Sequence, residues 1–185
     1  MKITAIAGER SMTAADYLDK ILERMTATHD IERGFGADGR TFDAYAQYNS
    51  FAEKYVLTRK ANLWKVSESE HVLFLTVPAG ADPEVFYEDA GRLIDGYMEP
   101  VLARAQEKYP PKDHMRTFLT VVLLMEQTPE EELVKKIRRY RYDRSYLFSL
   151  RGYSQGRLIA VDLPGEKVYT SPAAKDVAGF YRQVL

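Results

Sequence analysis

The sequence predicts an α+β fold, a mostly antiparallel sheet covered by about four helices. Three observations predict it. Apolar residues alternate at a spacing of two between Ile31 and Val77, which is strand behaviour. They recur at helical spacing after Thr13 and after Asp82. The two patterns do not alternate as regular βαβ units.

The first helix is expected over Thr13–Ala27. Thr13 and Asp16 make a capping start, and Tyr17, Leu18, Ile21, Leu22 and Met25 form one apolar face. Residues 1–11 read as a loose tail. A four-strand antiparallel meander follows from about Ile31 to Val77. Asp38-Gly39 is its first turn, because a tight hairpin needs positive φ. "EKYVLTRKANLWKV" is read as a strand, "SES" (67–69) as a turn and "HVLFLTVP" as the returning strand.

Asp82-Pro83-Glu84 starts the clearest helix. Its stripe runs from Phe86 through Leu93, Met98 and Leu102 to Ala105, with a kink expected at Pro100. "MRTFLTVVLLME" is apolar on both faces, the pattern of a central strand. Thr128-Pro129-Glu130 opens a short helix. "IRRYRYDRSYLFSLRGY" then continues as a strand over 140–151, sorted by parity into an aromatic even face and a basic odd face. "SQG" is read as a loop, "RLIAVDL" and "KVYT" as a hairpin, and Ser171-Pro172 as the cap of a last helix.

Composition bounds the function. The 185 residues suit a single domain, 45% are hydrophobic and 29% charged, and the net charge is −1. With 0 Cys there is no disulfide, thiolate metal site or cysteine nucleophile. No apolar run reaches membrane-span length, and the start lacks a signal-peptide core. A cytoplasmic protein without a membrane partner is the expectation. The charge is uneven: Lys135–Arg157 holds eight basic residues and one acid, Asp143.

That basic stretch supplies the candidate ligand-binding residues, Arg139, Arg141, Arg151, Lys135 and Tyr153. Arginine forks match phosphate, and tyrosines stack on bases. A half-buried strand after a positively charged helix end explains the same residues without a ligand. Nucleic acid is the less favoured partner, because the chain as a whole is not basic.

Catalytic signals are thin. "GYSQG" matches G-x-S-x-G, but no histidine lies beyond His114 and a strand rather than a helix follows Ser154. Gly34, Gly36 and Gly39 match G-x-G-x-x-G, but strand residues follow, so a glycine-rich hairpin is the reading. His29, His71 and His114 are isolated, and neither a metal site nor a cofactor is expected. The helix, three strands, helix, strand order resembles the nuclease core with its P-D…(D/E)-x-K motif. Asp43 would take the place of the metal-binding aspartate, but no Glu-x-Lys or Asp-x-Lys triplet is present.

"EKYVLTRKANLW", "HMRTFLTVV" and "YLFSLRGYS", in that order, resemble segments of a family of small uncharacterised bacterial proteins, mostly from Firmicutes. The likeness spans most of the chain after the first helix. It implies one α+β domain of unknown function and transfers no functional residue. The expectation is a non-enzymatic binding or interaction domain for a protein or anionic partner, with self-association through a strand edge open to it. The alternative is a hydrolase using Ser154 or a metal-dependent phosphodiesterase using carboxylates.

Overall fold

The computed structural model describes residues 12–53 and 65–185, without the side chains of 50–53 and 65–67. One seven-stranded sheet runs through it, with strand order β1-β2-β3-β4-β6-β5 and β7 beside β6. The strands are β1 (Asp30–Ala37), β2 (Arg40–Glu53), β3 (Lys65–Val77), β4 (His114–Met125), β5 (Asp143–Ser145), β6 (Tyr153–Asp162) and β7 (Lys167–Thr170).

Helix α1 (Ala14–Met25) begins as the sequence predicts. Thr13 accepts from the Asp16 N–H at 3.1 Å, and the Asp16 carboxylate accepts from Thr13 N–H at 3.3 Å. The two orphan donors of the first turn are thereby satisfied reciprocally. The β1–β2 hairpin closes at Asp38 and Gly39, with φ of 51° and 73°. Both values are positive, as a two-residue turn matched to strand twist requires.

Helix α2 (Pro83–Leu93) is capped by Asp82, which accepts from the Glu84 N–H at 3.0 Å. It runs directly into a π-helical segment, Ile94–Ala103, that contains Pro100. Proline removes a backbone donor, and the wider π turn is how this helix accommodates the break. Helix α3 (Glu131–Arg139) follows β4, with acids in its first turn and cations in its last. Pro172–Ala174 is a 3-10 turn, and α4 (Ala178–Arg182) is short.

Four of the six strand pairings are antiparallel. The two at the centre, β3–β4 and β4–β6, are parallel. The chain therefore crosses from β3 to β4 through α2 and the π segment, and from β4 to β6 past α3. These helices cover one face, over Leu73, Leu119, Val121, Leu123, Leu158 and Ala160. Helix α1 and the C-terminal helices cover the other, over Phe74, Val122, Leu124, Ile159 and Val161. Burial of a side chain such as Phe74 or Leu123 contributes about 1.5–3 kcal/mol.

Three expectations are corrected. The strand predicted over 140–151 is instead the three-residue β5 followed by a tight turn over 146–152. Leu147, Phe148 and Ser149 have φ of 50°, 54° and 68°, so the chain reverses there and parity is lost. Tyr146 is buried while Phe148 and Leu150 are exposed, although alternation placed all three on one face. "SQG" lies inside β6 and is not a loop. "SES" lies inside β3 and is not a turn. The strand predicted over 53–66 falls mainly outside the described residues.

Candidate anion-binding cleft and the buried network behind it

The covered half of each sheet face is apolar. Toward the N-terminal ends of β4 and β6 both faces become polar, in different ways. On the face carrying α1, even residues of β4 and odd residues of β6 present Arg116, Phe118, Gln155 and Arg157 side by side. Arg157 lies over the Phe118 ring, its guanidinium carbon 3.4 Å from the centroid. Arg116 lies 4.5 Å from the same centroid. One aromatic ring thus carries two guanidinium groups, a favourable use of its negative face.

Both arginines have carboxylate partners. Arg116 pairs with Glu68 at 3.0 Å. Arg157 pairs with Asp176 at 2.8 Å and with Glu70 at 3.2 Å, and donates from Nε to the Ala173 carbonyl at 2.8 Å. Glu70 also accepts from the Thr120 hydroxyl at 2.6 Å. Arg157 is only 3% exposed, so it is a fixed part of the floor.

These residues line an open cleft of about 510 Å³, walled by Arg141, Tyr142 and Asp143 on one side and by Pro172, Ala173, Lys175 and Asp176 on the other. Arg141 and Lys175 are exposed. Arg141 donates to the carbonyls of Arg139 and Tyr140 at 3.3 and 3.2 Å. Among the described residues, no carboxylate lies within ion-pair distance of Arg141 or Lys175. The lining holds four cations and two acids, Asp143 and Asp176. Asp143 accepts from the Gln155 amide at 2.7 Å.

The opposite face is closed. Ser154 is fully buried, and its hydroxyl meets the Tyr146 hydroxyl at 2.8 Å. Tyr146 donates in turn to Glu99 at 2.8 Å. Glu99 is also fully buried and is clamped by Arg104, at 2.6 Å through Nε and 3.0 Å through Nη2, and by Arg144 at 3.2 Å. Hydrogen bonding to Glu99 raises Arg104 above its ordinary pKa, and burial raises Tyr146. His114 packs edge-on against the Tyr146 ring, with centroids 5.7 Å apart. Its Nδ1 meets the Arg151 carbonyl at 2.8 Å and its Nε2 the Thr117 hydroxyl at 2.9 Å. Burial lowers its pKa.

The predicted residues are therefore divided. Of the five ligand-binding candidates only Arg141 lines the cleft. Tyr153 sits opposite Arg116 in register, beside it. Arg139 is exposed at the end of α3, and Lys135 pairs with Glu131 and Glu132 on that helix. Arg151 is half-buried and donates to the Pro110 carbonyl at 2.9 Å. Ser154 and His114 do come together around Tyr146, but both histidine nitrogens have other partners and the serine is sealed from solvent. Asp43 accepts from the Thr76 N–H. Among the described residues, no three His, Asp or Glu gather as a metal-binding group.

Sequence reasoning missed Glu99, Phe118, Arg116, Arg157 and Lys175. Arg157 was visible as the lone cation in an otherwise apolar strand, "RLIAVDL", where a charge needs a partner. Glu99 was hidden because the π segment turns a different face inward. Ile94 and Met98 are buried as the predicted stripe requires, but Glu99 and Ala103 are buried with them, while Leu102 is half-buried and Ala105 exposed.

Fold and site together define an α+β domain with a mixed sheet, a cationic cleft on one face and a closed polar network on the other. A family model described as "Domain of unknown function (DUF8052)" matches residues 13–183, and the chain belongs to that family. No curated protein and no solved structure matches it. Among the described residues, no helix is long and apolar enough to cross a membrane.

Proposed function

We propose that this chain is a single-domain, non-catalytic binding module whose cleft takes a small anion, a ligand bearing phosphate or carboxylate. One observation carries the reading. Arg141 and Lys175 stand on opposite walls of the cleft without a carboxylate partner, above Arg116 and Arg157 stacked on Phe118. The floor arginines are held in place by Glu68, Glu70 and Asp176, so the cleft needs little reordering to receive a charged group. Guanidinium forks suit phosphate and carboxylate oxygens, and the Phe118 ring adds an apolar platform.

The test is thermal unfolding with inorganic phosphate, pyrophosphate and a nucleoside triphosphate, each titrated at low ionic strength. A ligand at 100 times its Kd stabilises by about 2.7 kcal/mol. For a chain of this size that is a rise in Tm of roughly 5–10 °C. Arg141→Ala/Lys175→Ala should keep the parent Tm without ligand, since both side chains are exposed, and should lose the rise. No rise with any of the three anions, or an equal rise in the variant, would overturn the reading.

A further inference from the structure

We propose that the turn over 146–152, with Met115 beside it, docks this protein on the surface of an anionic lipid bilayer. Phe148 is 99% exposed, Leu150 82%, Met115 48% and Leu147 37%. Single exposed apolar residues are ordinary, but four at one tip are not. The Met115 carbonyl lies against Gly152, which places that residue alongside the turn.

The tip is built to stay in this shape. Leu147, Phe148 and Ser149 are all left-handed, a conformation unfavourable for residues with side chains. Hydrogen bonds lock it: Tyr146 N–H to the Gly152 carbonyl at 3.0 Å, Leu150 N–H to Leu147 at 3.0 Å and Arg151 N–H to Tyr146 at 3.1 Å. Below it Tyr146 is pinned to Glu99 and Ser154. A costly buried network thus supports a turn whose ends point into solvent, a pattern expected where strain serves binding.

The surrounding charge selects the surface. Segments 104–116 and 139–153 hold eight Lys or Arg against three Asp or Glu. Lys108, Lys112, Arg139 and Arg141 are exposed, and none of them pairs with a carboxylate among the described residues. The exposed apolar tip is tied through Arg151 to Pro110 and through Gly152 to Met115, and so lies next to the segment carrying Lys108 and Lys112. It is complementary to an anionic bilayer, with side chains entering the acyl boundary and cations meeting head groups. Such docking needs no membrane-spanning helix, so it departs from the expectation of no membrane partner without requiring a span.

The experiment is co-sedimentation of the full chain with vesicles of phosphatidylcholine alone or mixed with phosphatidylglycerol. The parent should pellet with the anionic vesicles, and less so as salt rises. Phe148→Ser/Leu150→Ser should bind at least tenfold more weakly while keeping the parent circular dichroism and Tm. Lys108→Gln/Lys112→Gln should weaken binding and flatten its salt dependence. Failure of the parent to pellet, or equal pelleting of the serine variant, would overturn the proposal. So would a parent dimer that the serine variant dissolves without any vesicle binding, which would assign the tip to a second copy of the chain.

Discussion

Glu99 is the residue on which the interior most depends. Its carboxylate is fully buried and satisfied by Arg104, Arg144 and Tyr146. Removing Glu99 leaves the Arg104 guanidinium and the buried Tyr146 hydroxyl without their partner, while Arg144 keeps access to solvent. Glu99→Ala is expected to cost about 3–5 kcal/mol, read from urea unfolding. Tyr146→Phe keeps the ring packing on His114 but deletes the hydroxyl that links Ser154 to Glu99, for about 1–3 kcal/mol. If the two substitutions cost the same, the charge would not be the centre of the network. His71 adds a pH dependence. Burial lowers its pKa from 6.5 to about 4, and it is 5% exposed. The unfolded chain takes up a proton near pH 6.5, whereas the folded one does so only near pH 4. Stability from this group is therefore complete above about pH 6.5 and is lost as pH falls toward 4, by about 3 kcal/mol in all. His29 and His114 are lowered too and act in the same direction. His71→Gln should flatten the fall of the urea midpoint between pH 6.5 and 4, and an unchanged slope would remove His71 from the account.

At the scale of elements, the turn over 146–152 and the π segment explain what was and was not legible. Capping and turn chemistry is local, so Thr13, Asp38-Gly39 and Asp82-Pro83 mark their elements directly in the sequence. Periodicity assumes an uninterrupted element; it failed across the turn and held only in part through the π segment, where Ile94 and Met98 are buried as expected. Three successive left-handed residues broke the alternation across 140–151. The π turns changed which residues face inward across 94–103. The turn has no composition signal, because Leu147 and Phe148 are unusual residues for positive φ. The π segment has one in Pro100, which marks a break but not which residues it turns inward. The glycine that closes the turn was legible only as the first residue of the G-x-S-x-G match. Gly152 has φ of 72°, and a Cβ there would lie 2.2 Å from the Met115 carbonyl oxygen. The obstacle is backbone, so it cannot step aside as a side chain would. Gly152→Ala is expected to destabilise by roughly 2–4 kcal/mol in urea unfolding, well beyond an ordinary surface change. Phe148→Ser in the same turn should stay within about 0.5 kcal/mol of the parent. A mild Gly152→Ala would mean that the turn moves freely over β4.

For the whole molecule, the decisive feature is the parallel centre of the sheet. The sequence marked β4 as central because "TVVLLM" is apolar on both faces, and the structure agrees. The same continuity is also the mark of a parallel strand covered on both sides, and "RLIAV" in β6 shares it. Strand direction was not legible from either run alone, because direction is set by the crossings through α2 and past α3, which are long-range. Paired cations and acids from β3, β4, β6 and the C-terminal segment then meet in the cleft, at sequence separations that no local motif spans. This architecture predicts a gradient of local stability. Leu119–Met125 and Ile159–Val161 lie between two covered faces, in strands paired on both sides. Exchange of their amides with solvent requires opening the core, so their protection should approach the global unfolding free energy. Edge strand β1, exposed along most of its length, and the three-residue β5 need only local fraying. Hydrogen exchange read by mass spectrometry should therefore rank β4 and β6 slowest and β1 and β5 fastest, with rates at β4 rising in Glu99→Ala in step with its lower global stability. Equal protection of β1 and β4 would show that the antiparallel flank, and not the parallel centre, is the last part to open.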